Sequence, residues 1–391
     1  MNYNEKALEM HREHKGKIEV TSKVALETRD DLSTAYTPGV AEPCRKIAAN
    51  VEDVYTYTAK GNLVAVVSDG SAVLGLGNIG AEASIPVMEG KAILFKAFAN
   101  VDAFPLCLAT QDVDAIVETV RLAAPVFGGI NLEDIASPRC VEVERKLKEI
   151  LDIPVFHDDQ HGTAVVVCAA LLNALKIVKK NIGDIQIVIN GAGSAGNAIA
   201  RMLMDIGAKH ILSCDRQGIL SRDVPQSNWV QDEIAALTNE ACMKGDLAAA
   251  LTGADVFIGV SAKNVVSPEM VKRMNNDAIV FAMANPDPEI LPSLALEAGA
   301  RIVGTGRSDF ANQINNVLAF PGIFRGALDA RASDINEAMK AAAVYAIAGL
   351  IPDSELSEEN IIPYALDKKI AVAVAKAVYD AAVRTGVSKL K

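Results

Sequence analysis

Residues 184–215 read as a strand, a glycine-rich turn, a helix and a second strand closed by an acid. The segment runs Asp184-Ile-Gln-Ile-Val-Ile-Asn190-Gly191-Ala192-Gly193-Ser194-Ala195-Gly196, and the next apolar run, from His210, ends at Asp215. A bare Gly-x-Gly-x-x-Gly is a weak signal. With a strand before it, a helix after it and an acid closing the next strand, it is the dinucleotide-binding pattern. Gly191 permits the tight turn, Gly193 lets the backbone approach a pyrophosphate, and Gly196 lets the helix lie on the strand. The free N–H groups of the helix start then face the phosphates. Ala192, Ser194 and Ala195 belong to the same turn and are assigned to the cofactor with it. Further apolar strands at 254–261, 278–284 and 301–306 extend the sheet, and no strand is expected between Asp215 and Gly253. The expected class is α/β, with a doubly wound Rossmann-type domain. Asp215 suits the adenosine ribose of NAD and repels a 2′-phosphate, whereas Arg216 beside it could pair with that phosphate. The expectation is therefore NAD, with NADP possible.

The upstream half makes an α/β unit of its own. Apolar strands at 63–68, 104–108, 126–130 and 153–156 alternate with helices at 83–95, 112–124 and 140–151. Glu133-Asp134 and Asp158-Asp159 each follow a strand. Parallel strands joined by crossover helices present their carboxyl ends along one edge, so the two acidic pairs should meet in space. Carboxylates gathered there repel one another unless a cation lies between them, and oxygen ligands suit Mg²⁺ or Mn²⁺. The second pair sits in Phe156-His157-Asp158-Asp159-Gln160-His161-Gly162-Thr163-Ala164, which precedes a long apolar helix. The same stretch also reads as a helix N-cap, with Asp and Thr taking the first free N–H groups. Lys91 lies in a mostly apolar helix. Desolvation there should lower its pKa and make it a base, although a lysine can also snorkel to the surface. A nicotinamide beside a divalent cation points to hydride removal from a hydroxy acid that chelates the metal.

Composition excludes other classes. At 391 residues the chain divides into an expected metal and substrate domain at 1–160, a Rossmann domain at 161–310 and a helical segment at 311–391 packing back on the first. The net charge of −11 argues against nonspecific nucleic-acid binding, which relies on a basic surface. The N-terminal stretch is polar, and no run of the roughly 20 apolar residues that span a bilayer is expected. Six cysteines without a Cys-x-x-Cys pair read as free thiols in a reducing compartment, and the expected location is the cytoplasm.

Six ordered segments carry a resemblance. They are Tyr36-Thr-Pro-Gly-Val40, Ser68-Asp-Gly-Ser-Ala-Val-Leu-Gly-Leu-Gly77, Pro86-Val-Met-Glu-Gly-Lys91, Asn131-Leu-Glu133-Asp134, Phe156–Ala164 and Asn315-Asn-Val-Leu-Ala-Phe-Pro-Gly322. With the glycine fingerprint, the chain resembles the malic enzyme family in its short prokaryotic form. The resemblance implies oxidative decarboxylation of L-malate to pyruvate and CO₂ with reduction of NAD(P). It implies Lys91 as general base, Glu133, Asp134 and Asp159 as metal ligands, Asp158 as a supporting acid and Tyr36 as the proton donor to the enolate. Asn285 and Asn315 match positions that contact cofactor and substrate. Together with the apolar helices, it also suggests a homodimer. One departure stands out: larger members carry an arginine for the substrate carboxylate where this chain has Ala72. Backbone N–H groups of the 75–80 loop, or a second subunit, would then have to supply that grip. Two other readings are a malolactic-type lyase or oxaloacetate decarboxylase on the same fold, and a nonenzymatic dinucleotide sensor.

Overall fold

The computed structural model describes residues 3–390, in which two sheets carry the chemistry. The first consists of β1 (Leu63–Ser68), β2 (Asp102–Cys107), β3 (Gly129–Leu132) and β4 (Val155–His157), ordered β2-β1-β3-β4 and all parallel. β1 reads Leu-Val-Ala-Val-Val-Ser because a parallel strand covered on both faces has no solvent side to alternate with. The register pairs Val67 with Leu132 and Leu132 with His157. Glu133 and Asp158 therefore step off the same edge side by side.

The second sheet consists of β5 (Gln186–Asn190), β6 (His210–Asp215), β7 (Gly218–Ile219), β8 (Val256–Gly259), β9 (Ile279–Ala282) and β10 (Ile302–Thr305), ordered β10-β9-β8-β5-β6-β7. Chain order reverses between β5 and β8, and such a switch point opens the crevice where dinucleotides bind. β7 corrects the expectation of no strand after Asp215. It is two residues long and antiparallel to β6, too short for any periodicity to announce it.

Helix Thr163–Val178 joins the two sheets. Ala164 through Leu171 are all buried, since the helix packs against Ser194–Asp205 on one side and Glu337–Ala348 on the other. With the turn that precedes it, the helical run Asp158–Val178 has the length and mean hydropathy, 1.7, of a membrane span. The share of it buried within the protein, 67%, identifies a core helix instead. The C-terminal helices Phe320–Asp329, Glu337–Ala348 and Lys369–Arg384 close this core. Phe320 and Phe324 stack edge-on against Phe95, at 4.7 and 5.2 Å between ring centroids. Each fully buried phenylalanine contributes on the order of 2 kcal/mol from area alone.

One segment stays apart. Helices Arg29–Ala35 and Ala41–Ala49 bury none of their residues, and Val24, Leu26, Leu32 and Val51 are exposed. The first is a well-formed helix nonetheless, with a Thr28/Asp31 capping box at its start. Tyr36 forms its C-terminal cap.

Candidate active site

The acidic end of the first sheet is built by adjacent strand exits. Glu133 leaves β3 buried, and Asp134 follows in a left-handed conformation at φ 53°, which turns its backbone N–H onto Asp159 Oδ2 at 2.7 Å. Glu133, Asp134 and Asp159 each offer an oxygen within 4.8 Å of the others. Asp158 points the other way, to Lys91. The Lys91 ammonium lies 2.6 Å from Asp158 Oδ2, 3.0 Å from Glu133 Oε1 and 4.4 Å above the Phe320 ring centroid. The helix-cap reading does not hold. The turn Asp158–Gly162 and the helix after it both start without a side-chain cap, so the carboxylates are left to Lys91 and Asp134.

The electrostatics of Lys91 reverse the sequence expectation. Burial pulls its pKa down, but Asp158, Glu133 and Asp159 more than offset that and raise it. The acids bear the converse. Burial pushes Glu133 up to about 7 against the pull of Lys91, and Asp158 up to about 7. Burial likewise lifts Asp159 to about 6, with Asp158 adding repulsion. One lysine does not neutralise four acids held so close. An all-oxygen donor set with excess negative charge fits a hard divalent cation. The imidazoles are engaged elsewhere or kept neutral: His161 Nε2 is 2.8 Å from Glu144 Oε1, and burial holds His157 down to about 4.

The second sheet supplies the dinucleotide end. Gly191 has φ +119°, and a Cβ on Gly196 would lie 1.8 Å from the Gly191 carbonyl oxygen, so the turn admits no side chain at either place. Helix Ser194–Asp205 starts without a side-chain cap, leaving its first N–H groups for a pyrophosphate. A cavity of about 710 Å³ beside it is lined by Gly191, Ala192, Asp215 and Arg216, among others. Asp215 Oδ1 accepts from Gln217 N at 2.7 Å, which fixes the carboxylate at the mouth of that cavity.

A second cavity, of about 850 Å³, joins the two chemistries. Lys91, Glu133, Asp134 and Asp159 line one wall, and Ser194, Ala195, Asn285 and Asn315 line the others. Ser261 lines both cavities, so they meet. Asp158 sits fully buried beneath Lys91. Tyr36 is not brought in: it is 67% exposed and is not among the residues that line either cavity. Ala72 does line the wall, but its N–H donates to Asp134 O. In the 75–80 loop, the N–H groups of Leu76, Ile79 and Gly80 are likewise taken by backbone carbonyls. That leaves the loop a weaker carboxylate grip than expected. Sequence reasoning missed Lys17, whose Nζ donates to Pro86 O at 2.6 Å at the cavity rim, because nothing in its neighbourhood forms a motif.

Comparison with known proteins covers nearly all of this architecture. Residues 15–148 match the malic enzyme N-terminal domain, and residues 160–383 match the malic enzyme NAD binding domain. The chain is 57% identical, over its whole length and 95% of the relative, to a bifunctional malic/malolactic enzyme of Bacillus subtilis. It is 58% identical, over 96% of itself and 78% of the relative, to an NAD-dependent malic enzyme of Geobacillus stearothermophilus. Among solved structures, the NAD-dependent malic enzyme of Thermotoga maritima superposes with a TM-score of 0.93 at 52% identity, over 95% of this chain and 98% of that one.

Proposed function

The chain belongs to the malic enzyme family, and from that premise we propose that it oxidises and decarboxylates L-malate to pyruvate and CO₂ while reducing a nicotinamide dinucleotide. The observation that carries the reading is one cavity shared by Lys91, the carboxylates of Glu133, Asp134 and Asp159, and the start of the phosphate-binding helix.

Glu133, Asp134 and Asp159 would hold Mg²⁺ or Mn²⁺. The ion would supply Lewis-acid polarisation of the C2 oxygen, and the dinucleotide the hydride acceptor. Lys91 takes the C2 hydroxyl proton as hydride departs. Asp158, 2.6 Å away, is placed to accept the proton that Lys91 must first release. Loss of the C4 carboxylate leaves an enolate, and Tyr36 protonates it at C3. In place of the arginine missing at Ala72, the Asn285 and Asn315 amides donate to the substrate's carboxylates.

Tyr36 reaches the site from a second copy of the chain, in a homodimer. Two features support this: Tyr36 stands clear of its own cavity, and the helices around it expose Leu32 and bury nothing. An unburied apolar arm of this kind suits docking on a partner. Asp215 favours NAD over NADP. The cytoplasm is the proposed compartment, in keeping with six free thiols.

A second reading is supported by the name of the Bacillus relative: net conversion of malate to lactate, with the dinucleotide recycled. One assay series separates the two. Chelator-treated protein is given malate with NAD or NADP, with and without Mn²⁺, and the reduced dinucleotide, pyruvate and lactate are measured. The proposal expects Mn²⁺-dependent NADH and pyruvate in equal amounts. Malate consumed to lactate without NADH favours the second reading. Turnover without metal contradicts the carboxylate site.

A further inference from the structure

Glu289 is fully buried, and nothing described above uses it. Its Oε1 accepts from the Ser261 backbone N–H at 2.8 Å and from the Ser261 hydroxyl at 3.2 Å. Its Oε2 accepts from the Ala284 N–H at 3.0 Å. Ser261 lies just past β8 and Ala284 just past β9, and the two strands are paired neighbours. One carboxylate therefore clamps the carboxyl ends of adjacent strands. The network continues to a third, because Asn190 Nδ2, at the end of β5, donates to the Ser261 hydroxyl at 2.8 Å.

Space is made for this clamp. A Cβ on Gly259 would lie 2.4 Å from the Glu289 carboxyl carbon, so only glycine leaves room for it. A buried carboxylate is costly unless it is well hydrogen-bonded, and the donors here are loop N–H groups and a hydroxyl. What the clamp holds is the catalytic wall. Ala284 and Asn285 line the larger cavity, and Ser261 stands where it meets the dinucleotide cavity. On its far side this Ala284–Asn285 strap abuts the first sheet's glycine loop: a Cβ on Gly75 would lie 2.6 Å from the Asn285 carbonyl oxygen. The strap is thus held between Glu289 and the Gly75 loop, and its amide-bearing residue is Asn285.

We propose that Glu289 is a positioning residue of the reaction, fixing Ser261 and Ala284 so that the Asn285 amide is presented to the substrate beside the nicotinamide. The assignment rests on the malate reading above. A purely structural Glu289 would only satisfy loop N–H groups.

Glu289→Gln tests it, since it keeps the volume but turns an NH₂ group toward one of the two N–H donors. Malate kcat/KM should fall on the order of 100-fold, and NADH affinity, followed by fluorescence, by about tenfold. Mn²⁺ affinity should stay within about twofold, because the acidic cluster belongs to the other sheet. In an Asn285→Ala background the same change should cost less than about threefold in kcat/KM, because its effect acts through Asn285. Additive costs in that cycle, or unchanged NADH affinity, overturn the proposal. If Glu289→Gln does not fold, Ser261→Ala removes a single donor. It should lower kcat/KM by about three- to tenfold and again lose its effect beside Asn285→Ala; an additive loss there also overturns the proposal. Should the wild-type chain fail to turn malate over, the malate reading fails, while the NADH arm still tests the clamp.

Discussion

The proposed trans placement of Tyr36 makes a quantitative prediction. Take two variants, Tyr36→Phe and Lys91→Ala. Lys91 lies within 2.6 and 3.0 Å of two buried acids, and losing a general base or acid typically costs 10²- to 10⁴-fold, so each parent alone is nearly silent. Now co-express them under two affinity tags. If each site joins Lys91 of one chain to Tyr36 of the other, a mixed dimer has one site with both groups and one with neither. The doubly tagged dimer then shows about half of wild-type activity, and an unsorted random mixture about a quarter. If Tyr36 served its own chain, every site would keep one defect and activity would stay near the parental background. The readout is malate-dependent NAD reduction per dimer, with NADH binding confirming that the Lys91→Ala chain is folded. Doubly tagged dimers no more active than either parent would refute the argument, as would a fully active Tyr36→Phe homodimer.

Gly162→Ala would place a Cβ 1.8 Å from Asp158 Oδ1 and push Asp158 off Lys91, so turnover should fall by at least about tenfold, with about 1–3 kcal/mol lost in denaturant unfolding; wild-type turnover would show that the pair is dispensable. Asp215→Ala should shift the NADP:NAD ratio of kcat/KM toward NADP by about tenfold, and an unchanged ratio would remove Asp215 from cofactor choice. Glu144 is depressed to about 2: burial opposes its ionisation, but His161, with Lys148 nearby, more than reverses that. Its folded pKa being the lower one, this stability is present above the ordinary carboxylate pKa and is lost as pH falls from about 4.5 toward 2. Between pH 5 and pH 3, urea unfolding of the wild type should therefore lose on the order of 1–3 kcal/mol more than that of Glu144→Gln; equal losses would contradict the assignment.

What could be read in the sequence follows from where parallel sheets keep their chemistry. β1, β3 and β4 are short apolar runs because both faces are covered, and their polar exits are the next residues along. Glu133-Asp134 and Asp158-Asp159 therefore stand out locally, and topology alone makes them neighbours. The glycine turn is legible for the same reason, being contiguous with its strand and helix. What escaped depends on partners far away in the chain. The sign of the Lys91 shift is not legible locally, because Asp158, 67 residues on, supplies a charge that no neighbour in the helix signals. Glu289 sits in Asn-Pro-Asp-Pro-Glu, which reads as a solvated turn, and only Gly259, on another strand, reveals the space it fills.

The helical run from Asp158 explains why these pieces form one site. β4 ends at His157, the turn Asp158–Gly162 carries the two acids, and helix Thr163–Val178 then runs on into the core that covers the second sheet. The acids are thus the first turn of the element that joins the sheets, and they cannot tilt relative to the dinucleotide crevice without moving that helix. Its buried face, Ala164 through Leu171, makes such tilting costly, since close-packed interiors do not deform continuously. The apolar length that resembles a membrane span thus serves a catalytic purpose. It sets the distance between Lys91 with its carboxylates and the nicotinamide crevice by packing, whereas short polar loops would leave that distance free.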